Sequence, residues 1–161
     1  RAIEDGLPAV MSAHIVAPAL DPDRPGTLSP AVITGLLREE LGFGGLVLTD
    51  DMEMEAVAGH HAPGEAAVLA VEAGCDLLLF CHAADRQRAA RDALEAAVRS
   101  GRLSEERLRA SAERIGRIRK GLAGRPPVGL DVIGCAAHRE LLERVRARAE
   151  EAGHPAGGPK S

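Results

Sequence analysis

Three apolar runs, each ending near a polar or acidic residue, alternate in the first half of the chain with stretches whose apolar positions recur every three or four residues. The runs span Leu7 to Val16, with His14 near the end, Gly45 to Leu48, leading into Thr49, Asp50 and Asp51, and Cys75 to Phe80, followed by Cys81 and His82. Short continuous apolar runs bounded by turn residues predict strands, and the stretch from Leu46 to Leu48 reads as one buried on both faces. Between the first two runs lies a Pro- and Asp-rich stretch from Pro18 to Thr27, expected to be a loop. Ser29 is then placed to cap a helix, with Pro30 in its first turn, where a missing N–H costs nothing. That helix is predicted through Ile33, Leu36 and Leu37 to Leu41, with Gly42 stopping it. A second helix is predicted from Gly64 to Ala73, ending at Gly74. Strand, loop, helix, strand, helix, strand is the order of parallel β/α units, an α/β fold. Right-handed crossovers would place the strand ends on one side, so that His14, Asp50 and His82 line one rim.

Asp50 and Asp51 sit where the second strand leaves the core. A buried strand that delivers a carboxylate to its C-terminal rim is how barrel enzymes present catalytic groups. The competing explanation is local, because an Asp just after a strand is also a common cap or turn former.

Beyond the third strand, Asp85 to Ser100 has helical periodicity and Gly101 ends it. Ser104 is placed to cap another helix that runs through Leu108, Ala112, Ile115 and Ile118 to Gly121, and its Arg114, Arg117, Arg119 and Lys120 read as a solvated face. The domain reading is a barrel portion over 1–122, a linker over 123–135 interrupted by Pro126 and Pro127, an amphipathic helix over 136–152, and a disordered tail over 153–161. Leu141, Leu142 and Val145 are the positions by which that last helix would pack.

Composition narrows the choices. The chain has 161 residues, 45% of them hydrophobic, whereas a complete barrel takes about 250. A net charge of -4 argues against a nucleic-acid partner, which needs concentrated positive charge. No apolar stretch reaches the length of a membrane span. Three cysteines in no disulfide spacing favour a reducing compartment, so a cytoplasmic location is favoured, with export left open because the true start can lie upstream of Arg1. Cys75 and Cys81, six apart, are expected to share one face as buried free thiols. No compact zinc signature surrounds them, and the carboxylate pair lacks assembled oxygen ligands for magnesium. No metal or cofactor is therefore expected.

Read in order, Ala9 to Ile15, Thr27 to Pro30, Leu37 to Phe43, Leu48 to Met54 and Ala70 to Asp76 resemble the C-terminal part of the catalytic barrel of glycoside hydrolase family 3, in its bacterial β-N-acetylhexosaminidase branch. The resemblance covers residues 1 to about 122. It implies about three parallel strands with flanking helices from a (β/α)8 TIM barrel, a carbohydrate substrate, and hydrolysis of terminal β-linked N-acetylglucosamine from glycans or cell-wall fragments. By the same resemblance Asp50 is the nucleophile of a retaining mechanism, Asp51 is its neighbour, and His14, Met54 and His82 lie near the sugar. For Met54, packing under the loop is an equal alternative. Sequence alone leaves the opposite assignment of Asp50 and Asp51 open.

The chain also departs from the family. Retaining hydrolysis needs a second group to protonate the departing oxygen. In the resembled branch that donor is a histidine paired with an aspartate on a loop after the fifth strand, a stretch that would precede Arg1. His60 and His61, which follow the Asp50 loop, are the candidate substitutes because imidazole titrates near neutrality. Otherwise the donor would come from the missing N-terminal barrel half or through self-association. The alternatives kept open are a non-catalytic partial barrel that binds sugar or a partner chain, favoured by open strand edges at Val10 to Val16, and a β-glucosidase or β-xylosidase of the same fold.

Overall fold

A computed structural model of the chain describes residues 1–124 and 129–153. It divides into two compact units, Arg1–Ala123 and Gly124–Ser161. In the first, β1 (Ala9–Met11) leads to a short antiparallel hairpin of β2 (Val16–Ala17) and β3 (Asp21–Pro25). A π-helix (Ala31–Glu40) follows, then β4 (Leu46–Asp51), α1 (Glu55–Ala58), α2 (Pro63–Ala73), β5 (Leu77–Leu79), α3 (Ala84–Arg99) and α4 (Glu105–Leu122). The sheet is parallel, in the order β1-β4-β5, with β4 central. This is the α/β arrangement expected of a barrel portion, with three parallel strands and flanking helices.

The register sorts the two sheet faces. Val10 pairs with Val47, and both join Leu78 against the main core of Leu28, Ile33, Phe43, Met52, Val57 and the alanines of α2. Each fully buried Val or Leu there stabilises by about 1.5–3 kcal/mol relative to exposure. The opposite face carries Met11, Leu48 and Leu77, which lie side by side. Met11 is 53% exposed and Leu77 37%. One sheet face is covered by helices, and the other is apolar and part-exposed, with Leu46 buried on it and Met11 and Leu77 open.

Local chemistry explains most boundaries. Ser29 caps the π-helix as expected, with Oγ accepting the Val32 N–H and donating to Asp21. The wider winding closes with a five-residue bond from the Leu41 N–H to the Leu36 carbonyl. Gly74 must be glycine: its φ is +119°, and a Cβ would lie 2.8 Å from Thr34 Oγ1. At Gly64 a Cβ would lie 2.7 Å from the Ala93 Cβ, so this glycine lets α2 and α3 cross closely over a second core of Val68, Val71, Ala97 and Leu103. Ser104 caps α4 through the Arg107 N–H, as its position predicts.

Three expectations need correction. Pro18 to Thr27 is not a plain loop, because the Asp21 carboxylate accepts the Asp23 and Arg24 N–H groups and the Ser29 hydroxyl, which organises a hairpin from residues that individually disfavour strands. Those same bonds, the Ser29 hydroxyl foremost, hold the Asp21 carboxyl below its usual range against the opposing effect of desolvation. Cys75 and Cys81 do not share a face: Cys75 is buried and Cys81 exposed, since both fall outside the three residues of β5 and strand alternation does not link them. Burial pushes the Cys75 thiol up to about 12. The third correction, Arg114, belongs to the charge cluster described below.

In the second unit, a 3-10 turn (Leu130–Val132) precedes α5 (Ala136–Glu151). The helix expected over 136–152 is present, but it buries none of its residues, and Leu141, Leu142 and Val145 are exposed. Pro126 and Pro127, and the tail beyond 153, lie outside the described residues.

Candidate active site

Strand alternation puts Asp50 on the same side of β4 as Leu46 and Leu48, away from the Val47 core. Its Oδ1 accepts the N–H of Asp51 at 2.8 Å. No other hydrogen bond to the Asp50 carboxylate is found among the described residues.

Asp51 is held from every direction. Its Oδ1 accepts the N–H groups of Glu53 (3.1 Å) and Cys81 (3.3 Å). Its Oδ2 lies 3.4 Å from His82 Nε2. Its backbone carbonyl accepts from His14 Nε2, 3.0 Å away. A carbonyl can only accept, so Nε2 carries the proton, and in the neutral ring Nδ1 accepts from the Thr27 hydroxyl at 2.9 Å. Thr27 is fully buried, and Ser12 Oγ lies 2.8 Å from its Oγ1. A chain of hydrogen bonds thus runs from Ser12 through Thr27 and His14 to the backbone of the carboxylate pair. Both His14 nitrogens are used within the protein.

His82 reaches the same rim from the loop after β5, with its side chain 78% exposed. Met54 is exposed at the start of α1, and the packing role weighed for it falls instead to Met52, which is buried. His60 and His61 follow α1 and line a cleft of about 430 Å³ together with His14 and Asp23. They also border a second cleft of about 480 Å³ with Asp85 and Arg86. Asp50 lines neither. The structure therefore joins Asp50, Asp51, His14 and His82 through direct contacts, and brings His60 and His61 beside His14. No group of three or more His, Cys, Asp or Glu side chains suited to a metal ion is found among the described residues.

One rim residue escaped the sequence reading. Glu53, with a side chain 7% exposed, accepts the N–H of His82 at 2.6 Å and that of Ala83 at 3.1 Å. A contact across about thirty residues leaves no local pattern, and Glu53 stands among other acidic residues, Asp50, Asp51 and Glu55, that give it no separate signal.

The far end of the sheet holds a different kind of aspartate. Asp76, just before β5, has no exposed side-chain surface. It accepts from Arg38 (2.6 Å), the Val47 N–H (3.0 Å), Ser111 (2.8 Å) and Arg114 (3.1 Å), with Arg107 3.4 Å away. Burial alone would raise its pKa, but the Val47 N–H, Ser111, Arg38 and Arg114 outweigh it and hold the carboxyl below its usual range. Arg114 is thus drawn out of the solvated face assigned to it, because a buried carboxylate needs compensating charge.

This parallel sheet, with its carboxylate pair at the C-terminal rim, belongs to a barrel glycosidase family, and residues 1–118 match the Glycosyl hydrolase family 3 N terminal domain. The chain belongs to that family. It is 38% identical over 85 residues to a β-hexosaminidase of Nitrosomonas eutropha, a match covering 53% of this chain and 24% of that protein. A solved family 3 β-N-acetylglucosaminidase from Paenibacillus sp. str. FPU-7 superposes with a TM-score of 0.80 at 46% identity, covering 90% of this chain and 29% of that one. A β-N-acetylhexosaminidase from Beutenbergia cavernae superposes at 0.66 with 31% identity over 74% of this chain and 35% of that one. The chain spans about a quarter of the length of the curated relatives it matches.

Proposed function

We propose that this chain carries the nucleophile-bearing part of a retaining glycosidase that removes terminal β-linked N-acetylglucosamine, with Asp50 as the nucleophile. The observation that carries the assignment is the inequality within the pair. Asp51 has both oxygens engaged by neighbours, whereas Asp50 accepts one backbone N–H on Oδ1 and leaves Oδ2 without a protein partner among the described residues. An oxygen left without a protein partner is what a nucleophile presents to its substrate. Attack by Asp50 on the anomeric carbon breaks the glycosidic C–O bond as the departing oxygen takes a proton, and water later releases the sugar from the carboxylate. The β-hexosaminidase and β-N-acetylglucosaminidase names of its relatives support the amino-sugar substrate over a β-glucoside or β-xyloside.

The proton donor is the unassigned part. His60 and His61 stand in the cleft beside His14, which supports a substitute role. The part-exposed apolar face of Met11, Leu48 and Leu77 favours a second source, a further set of strands that closes the barrel and brings its own acid. His82 and Met54, exposed on the rim, are the proposed sugar contacts, and Asp51 orients them rather than reacting.

The test is the intact mass of the purified protein together with nitrophenol release from its β-N-acetylglucosaminide by wild type and Asp50→Asn. Turnover that disappears in Asp50→Asn supports the assignment. At the mass of this chain it implicates His60 or His61, separable by single Ala replacements. Turnover that survives Asp50→Asn sinks the nucleophile assignment, and sugar binding without turnover favours the non-catalytic partial barrel.

A further inference from the structure

Two loops meet at the rim, the one after β4 and the one after β5, and their junction is made by carboxylates. Asp51 takes the Cys81 N–H, while Glu53 takes the next two N–H groups, those of His82 and Ala83. Ala83 immediately precedes α3 and has no side-chain cap of its own. Glu53 therefore does from thirty residues away what the acidic residue of a capping box does within one helix. Its side chain is nearly buried, and its remaining charged neighbour is Arg86 at 3.8 Å. Acceptance of backbone N–H groups by an ionised carboxylate is among the stronger kinds of hydrogen bond.

The consequence concerns His82. Its ring is exposed, and a lone exposed imidazole on a loop has many rotamers and many loop positions available. Here the backbone N–H is fixed by Glu53 while Nε2 sits 3.4 Å from Asp51 Oδ2. The same Asp51 donates its N–H to Asp50. A continuous series of contacts joins Glu53, His82, Asp51 and Asp50.

We propose that Glu53 is a positioning residue, which clamps the loop after β5 and so sets where His82 presents its ring to a sugar bound over Asp50. The proposal rests on the glycosidase reading for the identity of the sugar, and on the structure alone for the clamp. Glu53→Ala removes both acceptors; Glu53→Gln keeps one oxygen and restores part of the hold.

The experiment is amide hydrogen exchange by NMR on wild type, Glu53→Ala and Glu53→Gln, with a titration of N-acetylglucosamine on the same samples. The clamp predicts that His82 and Ala83 amides lose protection about tenfold or more in Glu53→Ala and less in Glu53→Gln, while the Val47 amide, held by Asp76 at the other end, keeps its protection. It further predicts sugar affinity about tenfold weaker in Glu53→Ala and partly rescued in Glu53→Gln, with the same ordering in KM and kcat within about twofold where turnover is measured. Unchanged His82 and Ala83 amides overturn the clamp. Deprotected amides with unchanged sugar affinity reduce Glu53 to a structural cap and overturn the positioning role. His82 and Ala83 amides deprotected in Glu53→Ala, together with a wild type that does not respond to the sugar, retain the clamp and refute the glycosidase reading of this chain, so the two failures are distinct.

Discussion

Asp50 and Asp76 lie at opposite ends of the same three-stranded sheet and are treated in opposite ways. At the rim, Asp50 accepts only the Asp51 N–H among the described residues and keeps its other oxygen without a protein partner there. At the base, Asp76 is enclosed by three guanidinium groups, a hydroxyl and a backbone N–H. An unsatisfied carboxylate is a reactive group, and a fully satisfied buried one is a cross-link. The difference follows the general division of barrels into a C-terminal face that does chemistry and an N-terminal face that holds the structure together.

The sharpest way to break the comparison is Asp50→Asn. Turnover of the aryl β-N-acetylglucosaminide should fall by about a thousandfold or more, equivalent to about 4 kcal/mol in the barrier, with the urea midpoint nearly unmoved. A large stability loss would make Asp50 structural and collapse the contrast. Next in size is Asp76→Ala, expected to cost about 3–5 kcal/mol in chemical denaturation because three cationic side chains lose their common partner. If that variant melts like wild type, the base is not the cross-link described.

Acid sharpens the contrast further. The folded pKa of Asp76 is lowered, so its contribution to stability is fully present above its unfolded value, from about pH 5 upwards, and is lost as pH falls through the lower folded value. Urea midpoints measured from pH 6 to pH 2 should therefore fall more steeply in wild type than in Asp76→Asn. The smallest effect is expected of Ser111→Ala, about 1 kcal/mol of stability, with sugar binding unchanged.

Much of the fold was legible because it is local. Apolar runs located β4 and β5, Ser29 and Ser104 marked helix starts, and Gly42 and Gly74 marked helix ends, both with positive φ. The position of Asp50 at a strand end was equally visible. What escaped depends on distance along the chain. Arg114 reads as surface charge until Asp76 is placed against it, 38 residues away. Glu53 reads as loop polarity until the His82 N–H arrives. The hairpin at Asp21–Pro25 escaped for another reason, since side-chain acceptance of N–H groups by Asp21 overrode poor strand propensity. The inequality between Asp50 and Asp51 required atomic geometry, because adjacent identical residues carry identical sequence signals.

The Asp76 cluster also sets an order of events during synthesis. Its partners come from the π-helix at Arg38, from β4 at Val47, and from α4 at Arg107 and Arg114. A nascent chain therefore exposes Asp76 well before two of its three guanidinium partners have left the ribosome, and at about 5–20 residues per second that gap lasts seconds. The sheet and the π-helix can collapse early, yet the base is sealed only when the first three turns of α4 emerge. A stop codon shortly after α3 would thus remove far more than one helix, for it would leave a carboxylate designed for the interior with a single cation to meet it.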